Sequence, residues 1–189
     1  MSPAPPSTRR AALALLGAVP LAAALAVVPA HAHGPTRQKV SESVAIDAPP
    51  DAVWALVGDF PNAAAWLPMV ESSSGTGGTE PGATRTLVLG GGAEVIEELR
   101  KYDAGKMSLS YRIPVATHDV AVLPVNNYSS TISVAPDGGG STVTWKGAFY
   151  RGYPNNDPPP ELSDEAAVEA VTGLYRAGLE HLKEVAEGG

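Results

Sequence analysis

The chain contains no cysteine. Disulfides, thiolate nucleophiles and thiolate metal sites are therefore excluded, and the fold has to hold by packing alone. Positive charge is also short: 13 Lys and Arg face 20 Asp and Glu, a net charge of −7. A surface this acidic repels nucleic acid and anionic lipid. No Ser-His-Asp pattern, phosphate loop, dinucleotide fingerprint or internal repeat occurs. The glycine triplets at 90–92 and 138–140 fall at expected strand turns.

One uncharged run is present. Ser7-Thr8-Arg9-Arg10 leads into Ala11 to Val28 and then into Ala30-His31-Ala32, a basic start, an apolar middle and a small-x-small end. This is the pattern of an export signal. A membrane anchor is the alternative, but alanine dominates the run, and Gly17, Pro20 and Pro29 interrupt it. Cleavage after Ala32 is expected, with delivery to the periplasm or outside the cell. The arginine pair leaves the Sec and twin-arginine routes both open. Losing Arg9 and Arg10 carries the net charge from −7 to −9. What remains is a short lead-in over 33–39 and one domain of ordinary size over 40–187, with no membrane span.

Within that domain, Val44 to Phe60 reads as a strand that stops at Pro49-Pro50 and turns into a helix, since proline fits a first helical turn but cannot continue a ladder. The first strand is read over Val40 to Ile46, the helix up to Gly58, and a helical turn around Asn62 to Trp66. Gly75 to Gly82 reads as a turn-rich linker. Period-two segments follow at about Ala83–Leu89, Ala93–Tyr102, Lys106–Ile113, Tyr128–Val134 and Thr142–Tyr150, with separators suited to antiparallel neighbours. Met107, Leu109, Tyr111 and Ile113 fall on one face, as do Tyr128, Ile132 and Val134, and Val143, Trp145 and Phe149. Serines, threonines, Arg112 and Lys146 fall on the other. Such a sheet is wet on one side and needs a cover on the other. The cover is expected in a helix from Asp164 to near Ala186, capped by Ser163. Its stripe is Val168, Val171, Tyr175, Leu179, Leu182 and Val185. The sum is an α+β helix-grip arrangement, a curved antiparallel sheet wrapped around a long C-terminal helix, with two short helices after the first strand.

Several phrases, in this order, resemble the START-like superfamily, also called SRPBCC or polyketide cyclase/dehydrase-like proteins. They are Ile46-Asp-Ala-Pro49 with Val53-Trp54 and Gly58-Asp-Phe60, Pro81-Gly82 with Arg85, Glu97 with Tyr102-Asp103, Pro124-Val125 with Tyr128, Ser141 to Trp145, and Thr172-Gly-Leu-Tyr175 with Gly178-Leu179. The resemblance implies the helix-grip (Bet v 1-like) fold and a cavity for a small hydrophobic or lipid-like molecule. With an export signal, it is similar to a periplasmic branch that includes a methanol-oxidation accessory protein. That implies a periplasmic redox protein as a further partner. Two segments depart from the branch: Pro114 to Leu123, which reads as an insertion, and the proline-rich stretch Tyr153 to Pro160.

The expected lining combines inward strand faces with the inner helix stripe: Arg85, Leu87, Glu97, Leu99, Leu109, Tyr111, Tyr128, Trp145, Phe149, Val171, Tyr175 and Leu179, with Leu89 and Val95 beside them. Gly178 is expected to leave room there. Arg85 and Glu97 alternate with apolar neighbours, which puts two charges on faces that otherwise read as buried. Either they face the cavity close together or each sits near a strand end and reaches water. For catalysis, Glu97, Tyr111, Tyr128 and His118 are the acid-base candidates, although no spacing among them defines a mechanism. His118 reads as solvent-exposed. His33 would become the new N-terminus, but with only His118 and His181 elsewhere in the mature chain no metal site is assigned, nor any cofactor. Ligand carrier, cyclase/dehydratase-type enzyme and protein-interaction module with a vestigial cavity are the three functions left by the sequence.

Overall fold

A computed structural model describes Met1 and residues 34–188. The segment read from the sequence as an export signal (1–32) and His33 lie outside the described residues, apart from Met1. Strand β1 (Gln38–Ile46) begins two residues before the sequence-based start. Helix α1 (Pro50–Val57) follows at once, with Pro50 in its first turn. The Gly58 N–H closes that helix on the Trp54 carbonyl at 2.7 Å. A 3-10 turn (Phe60–Ala65) comes next. Strands β2 (Val70–Thr76), β3 (Thr84–Leu89), β4 (Glu94–Asp103), β5 (Ser108–Arg112), β6 (Val125–Asp137) and β7 (Gly140–Arg151) then lead to helix α2 (Asp164–Ala186).

The seven strands form one curved antiparallel sheet in the order β1-β7-β6-β5-β4-β3-β2. Chain neighbours pair from β2 to β7, and β1 closes onto β7 at the far edge. This is the helix-grip arrangement expected from the sequence, with one strand more. β2 is not among the strands expected from the sequence, because only Val70 of its seven residues is buried, and its last two residues fall in the stretch read as a linker. Met107 also departs from expectation. It takes a left-handed backbone (φ 45°) at the end of a turn, so β5 starts at Ser108.

The alternation along β5, β6 and β7 decides which face is covered. Leu109, Tyr111, Tyr128, Ile132, Val143, Trp145 and Phe149 are all buried, while Ser108, Ser110, Thr131, Thr144 and Lys146 face outward. Each large apolar side chain removed from water contributes about 1.5–3 kcal/mol. Helix α2 lies across this inner face, mainly over β1 and β7. Ser163 Oγ accepts from the Ala166 N–H at 3.1 Å, and Asp164 and Glu165 occupy the positive end of the helix dipole. The buried stripe is Ala167, Val171, Tyr175, Gly178, Leu179 and Leu182. Val168 and Val185, which the spacing placed in the stripe, are only half-buried.

Both departing segments are tied down. The 114–123 segment is held by His118, whose Nε2 lies 2.6 Å from the Val125 carbonyl. His118 is thus half-buried and bonded rather than solvent-exposed. The proline-rich segment is gathered by Arg151, which donates to the carbonyls of Tyr153 (3.0 Å) and Asn155 (2.8 Å) and to Asp164 Oδ2 (3.0 Å). Among the described residues no helix is long and apolar enough to cross a membrane.

Candidate functional site

Because α2 covers mainly the β1–β7 side, a hollow remains under the β3–β5 side. Its volume is about 250 Å3, near the lower end of the roughly 300–1,000 Å3 usual for ligand sites. Strands β3 and β4 supply Leu87, Leu89, Val95 and Glu97; β5 to β7 supply Tyr111, Tyr128 and Trp145, with Ile113 just beyond β5. Leu67, Met69 and Val70 close one side, Ala170 and Leu174 of α2 another, and Val122 and Leu123 of the 114–123 segment the mouth. Four larger hollows, among them one along the outside of α2 and one on the outer sheet face, are lined largely by polar and charged residues.

Of the twelve residues expected to line a cavity, Leu87, Glu97, Tyr111, Tyr128 and Trp145 do so. Leu99, Leu109, Phe149, Val171, Tyr175 and Leu179 are instead buried in the solid core, and Arg85 sits behind Glu97. For Phe149, Val171, Tyr175 and Leu179 the physical reason is the position of α2: it packs directly onto β1 and β7, so side chains there interlock and leave no space. Gly178 corrects a further expectation. A Cβ at this position would lie 2.8 Å from Trp145 Cζ3 and 2.9 Å from Leu67 Cδ2. Its missing side chain therefore admits those two groups and adds nothing to the hollow.

Arg85 and Glu97 are direct cross-strand partners in the β3–β4 ladder. Arg85 Nε donates to Glu97 Oε2 at 2.6 Å and Nη1 donates to the Phe60 carbonyl at 3.0 Å. The guanidinium also lies over the rings of Phe60 and Tyr111, 4.4 and 5.1 Å from their centres. The two residues are 2% and 6% exposed, so this is a buried ion pair, not two charges reaching solvent at strand ends.

A second polar group, centred on Ser130, was not singled out from the sequence. Ser130 Oγ donates to the Lys146 carbonyl (2.9 Å), lies 2.9 Å from the Tyr175 hydroxyl, and accepts from Trp145 Nε1 (2.8 Å). Tyr175 in turn lies 2.7 Å from the Tyr128 hydroxyl, and Trp145 Nε1 also reaches the Tyr111 hydroxyl at 3.1 Å. The signal was available: Ser130 occupies the inward parity between Tyr128 and Ile132. A lone hydroxyl on an apolar face marks a buried hydrogen bond. Burial pushes the Tyr111 and Tyr128 hydroxyls well above their ordinary range, with the Glu97 charge adding to the rise at Tyr111 and the neighbouring tyrosines at Tyr128. Tyr175, also through burial, is pushed up to about 12. All three stay protonated at neutral pH. They offer hydrogen bonds rather than a base.

Residues 37–187 match the polyketide cyclase / dehydrase and lipid transport family. The chain belongs to that family. Among solved structures it is similar to the protein XoxI from Bacillus cereus, at 31% identity over 79% of this chain and 96% of that one, with a TM-score of 0.64. A protein from Bacillus thuringiensis is 30% identical over 78% of this chain and 98% of that one, with a TM-score of 0.65. The Zhui aromatase/cyclase from Streptomyces sp. R1128 shares 19% identity over 80% of this chain and 94% of that one, with a TM-score of 0.63, a likeness of fold. No curated protein matches. Among the described residues no three His, Cys, Asp or Glu side chains gather to hold a metal ion.

Proposed function

We propose that this member of the polyketide cyclase / dehydrase and lipid transport family is a non-enzymatic carrier. It takes a small hydrophobic molecule into the hollow between the sheet and α2. One observation carries the reading: a hollow of about 250 Å3 with apolar walls and a single polar corner at Glu97, Tyr111 and Tyr128. Few, placed polar groups among apolar walls distinguish a ligand site from a packing defect. Apolar burial supplies the affinity and the polar corner orients the ligand. The test is native mass spectrometry of the purified protein, paired with solvent extraction. A reproducible adduct of a few hundred daltons supports the carrier, and its absence from protein isolated from the source cell overturns it.

The finer reading places the carrier outside the cytoplasm, released by cleavage after Ala32, beside a periplasmic redox protein. The signal-like segment at 1–32 and the resemblance to a methanol-oxidation accessory protein support it. N-terminal sequencing of the exported protein should begin at His33. Affinity capture from the periplasm should retain a redox enzyme.

A cyclase/dehydratase reading is favoured by one feature, the Glu97 carboxylate beside Tyr111 on the cavity wall. Against it, Arg85 occupies one carboxylate oxygen and the tyrosines are held protonated. Turnover of a polyketide that is lost in Glu97→Gln, with the fold retained, would favour the enzyme.

A further inference from the structure

The hydrogen atoms of the polar corner can be assigned one by one, because the network ends on a group that can only accept. The Lys146 carbonyl takes the Ser130 hydrogen. Ser130 therefore accepts from Tyr175, which leaves Tyr175 to accept from Tyr128. Trp145 Nε1 can only donate, and it does so to both Ser130 and Tyr111. Tyr111 thus accepts from the indole and keeps its own hydrogen, because the one hydroxyl beside it, Ser130, already accepts from Tyr175 and Trp145. On the other side of the corner, Glu97 bonds Arg85 through Oε2 alone. Its Oε1 has no hydrogen-bond partner among the described residues, yet it is not among the sealed, unpaired atoms, which are Trp66 Nε1 and Asp164 Oδ1. It therefore keeps accessible surface, and the surface that Glu97 shows is the cavity wall.

The corner presents one free donor, Tyr111 O–H, and one free anionic acceptor, Glu97 Oε1. We infer that the cavity selects an uncharged alcohol or phenol with a compact apolar body, its hydroxyl donating to Glu97 and accepting from Tyr111. This rests on reading the hollow as a ligand site and adds the chemistry that the site recognises. A single hydroxyl satisfies both groups at once. A ketone answers only Tyr111 and leaves the buried carboxylate oxygen without a donor. An ammonium ion answers only Glu97, whose charge Arg85 already balances, and so brings a surplus positive charge into a low-dielectric pocket. A carboxylate meets Glu97 as a like charge. Leaving a buried polar group unanswered is the step that discriminates most strongly between ligands of one shape.

Size sets the probe. An apolar cavity of about 150 Å3 holds benzene, so two fused rings suit a hollow of about 250 Å3. The experiment is calorimetric titration of the full-length protein at neutral pH with 2-naphthol, naphthalene, 2-naphthoate and protonated 2-naphthylmethylamine. 2-Naphthol should bind at least tenfold more tightly than each of the other three. In Tyr111→Phe that preference over naphthalene should fall severalfold. Because that variant retains the Trp145–Ser130 bond, it keeps the rest of the network, and its far-UV circular dichroism checks the fold. If naphthalene matches 2-naphthol, or if the ammonium or carboxylate probe binds best, the inference fails and the carrier reading stands. If none of the four binds, the carrier reading fails with it.

Discussion

Consider the replacement of Glu97 by glutamine, which keeps the shape of the side chain and removes its charge. Arg85, 2% exposed, would retain the Phe60 carbonyl and two ring faces but lose the only anion paired with it among the described residues. Removing one partner of a buried ion pair costs about 3–5 kcal/mol, against a total stability of about 5–15 kcal/mol for a domain. Arg85→Met should cost somewhat less, since the stranded carboxylate still opens into the cavity through Oε1 and can meet water there. The double variant Arg85→Met/Glu97→Leu should return close to the parent protein, because both desolvated charges vanish together. With Glu97→Leu as the matching single variant, the coupling between the two sites should then be about 3 kcal/mol or more. Urea unfolding followed by tryptophan fluorescence reads this directly, with Trp66 and Trp145 as buried reporters. Thermal midpoints should fall by roughly 10 °C in Glu97→Gln. A cost below about 1 kcal/mol for Glu97→Gln, or additive single and double variants, would refute the buried pair as the organising charge of the cavity wall.

Ser130→Ala removes the acceptor of Tyr175 and the better acceptor of Trp145, and should cost about 1–3 kcal/mol in urea unfolding. Combined with Tyr175→Phe the losses should be less than additive. Gly178→Ala should destabilise even though alanine favours a helix by about 1 kcal/mol. The new Cβ overlaps Trp145, which is stacked 4.2 Å from Tyr175 and cannot move freely, and overpacking costs about 1–3 kcal/mol. The raised hydroxyls of Tyr111, Tyr128 and Tyr175 favour the fold while they stay protonated. Their contribution is complete below the unfolded tyrosine value of about 10 and is lost as pH climbs above it. Absorbance titration should accordingly find Tyr111, Tyr128 and Tyr175 still largely protonated at about pH 11, and stability should drop steeply beyond that point.

The architecture was legible because its devices are local. Pro49-Pro50 ends a strand and starts a helix; period-two runs sort two faces; Ser163, Asp164 and Glu165 open a helix whose apolar steps match one side. The same parity placed Arg85 and Glu97 inward. What it could not convey was where space is left over. Leu99, Leu109, Phe149 and Leu179 face inward as firmly as Leu87 and Tyr111, and only the three-dimensional seating of the helices on the sheet decides which are interlocked and which border a void. Ala170 and Leu174 border it from a flank one step away from Val171 and Tyr175. β2 escaped notice because an edge strand of mostly exposed, mostly polar residues has no apolar period to read. Val122 and Leu123 escaped for a different reason: a loop has no period at all, and its reach across the mouth comes from tethers such as His118 to Val125.

Helix α2 follows every strand in the chain yet covers the face that those strands create. On the ribosome, the seven strands therefore emerge before α2 exists to complete the cover over Trp145, Phe149 and Tyr128. Nascent chains halted ahead of Asp164 would carry an uncovered apolar sheet and should be captured by chaperones or aggregate, whereas release of the last helix converts the same strands into a closed body.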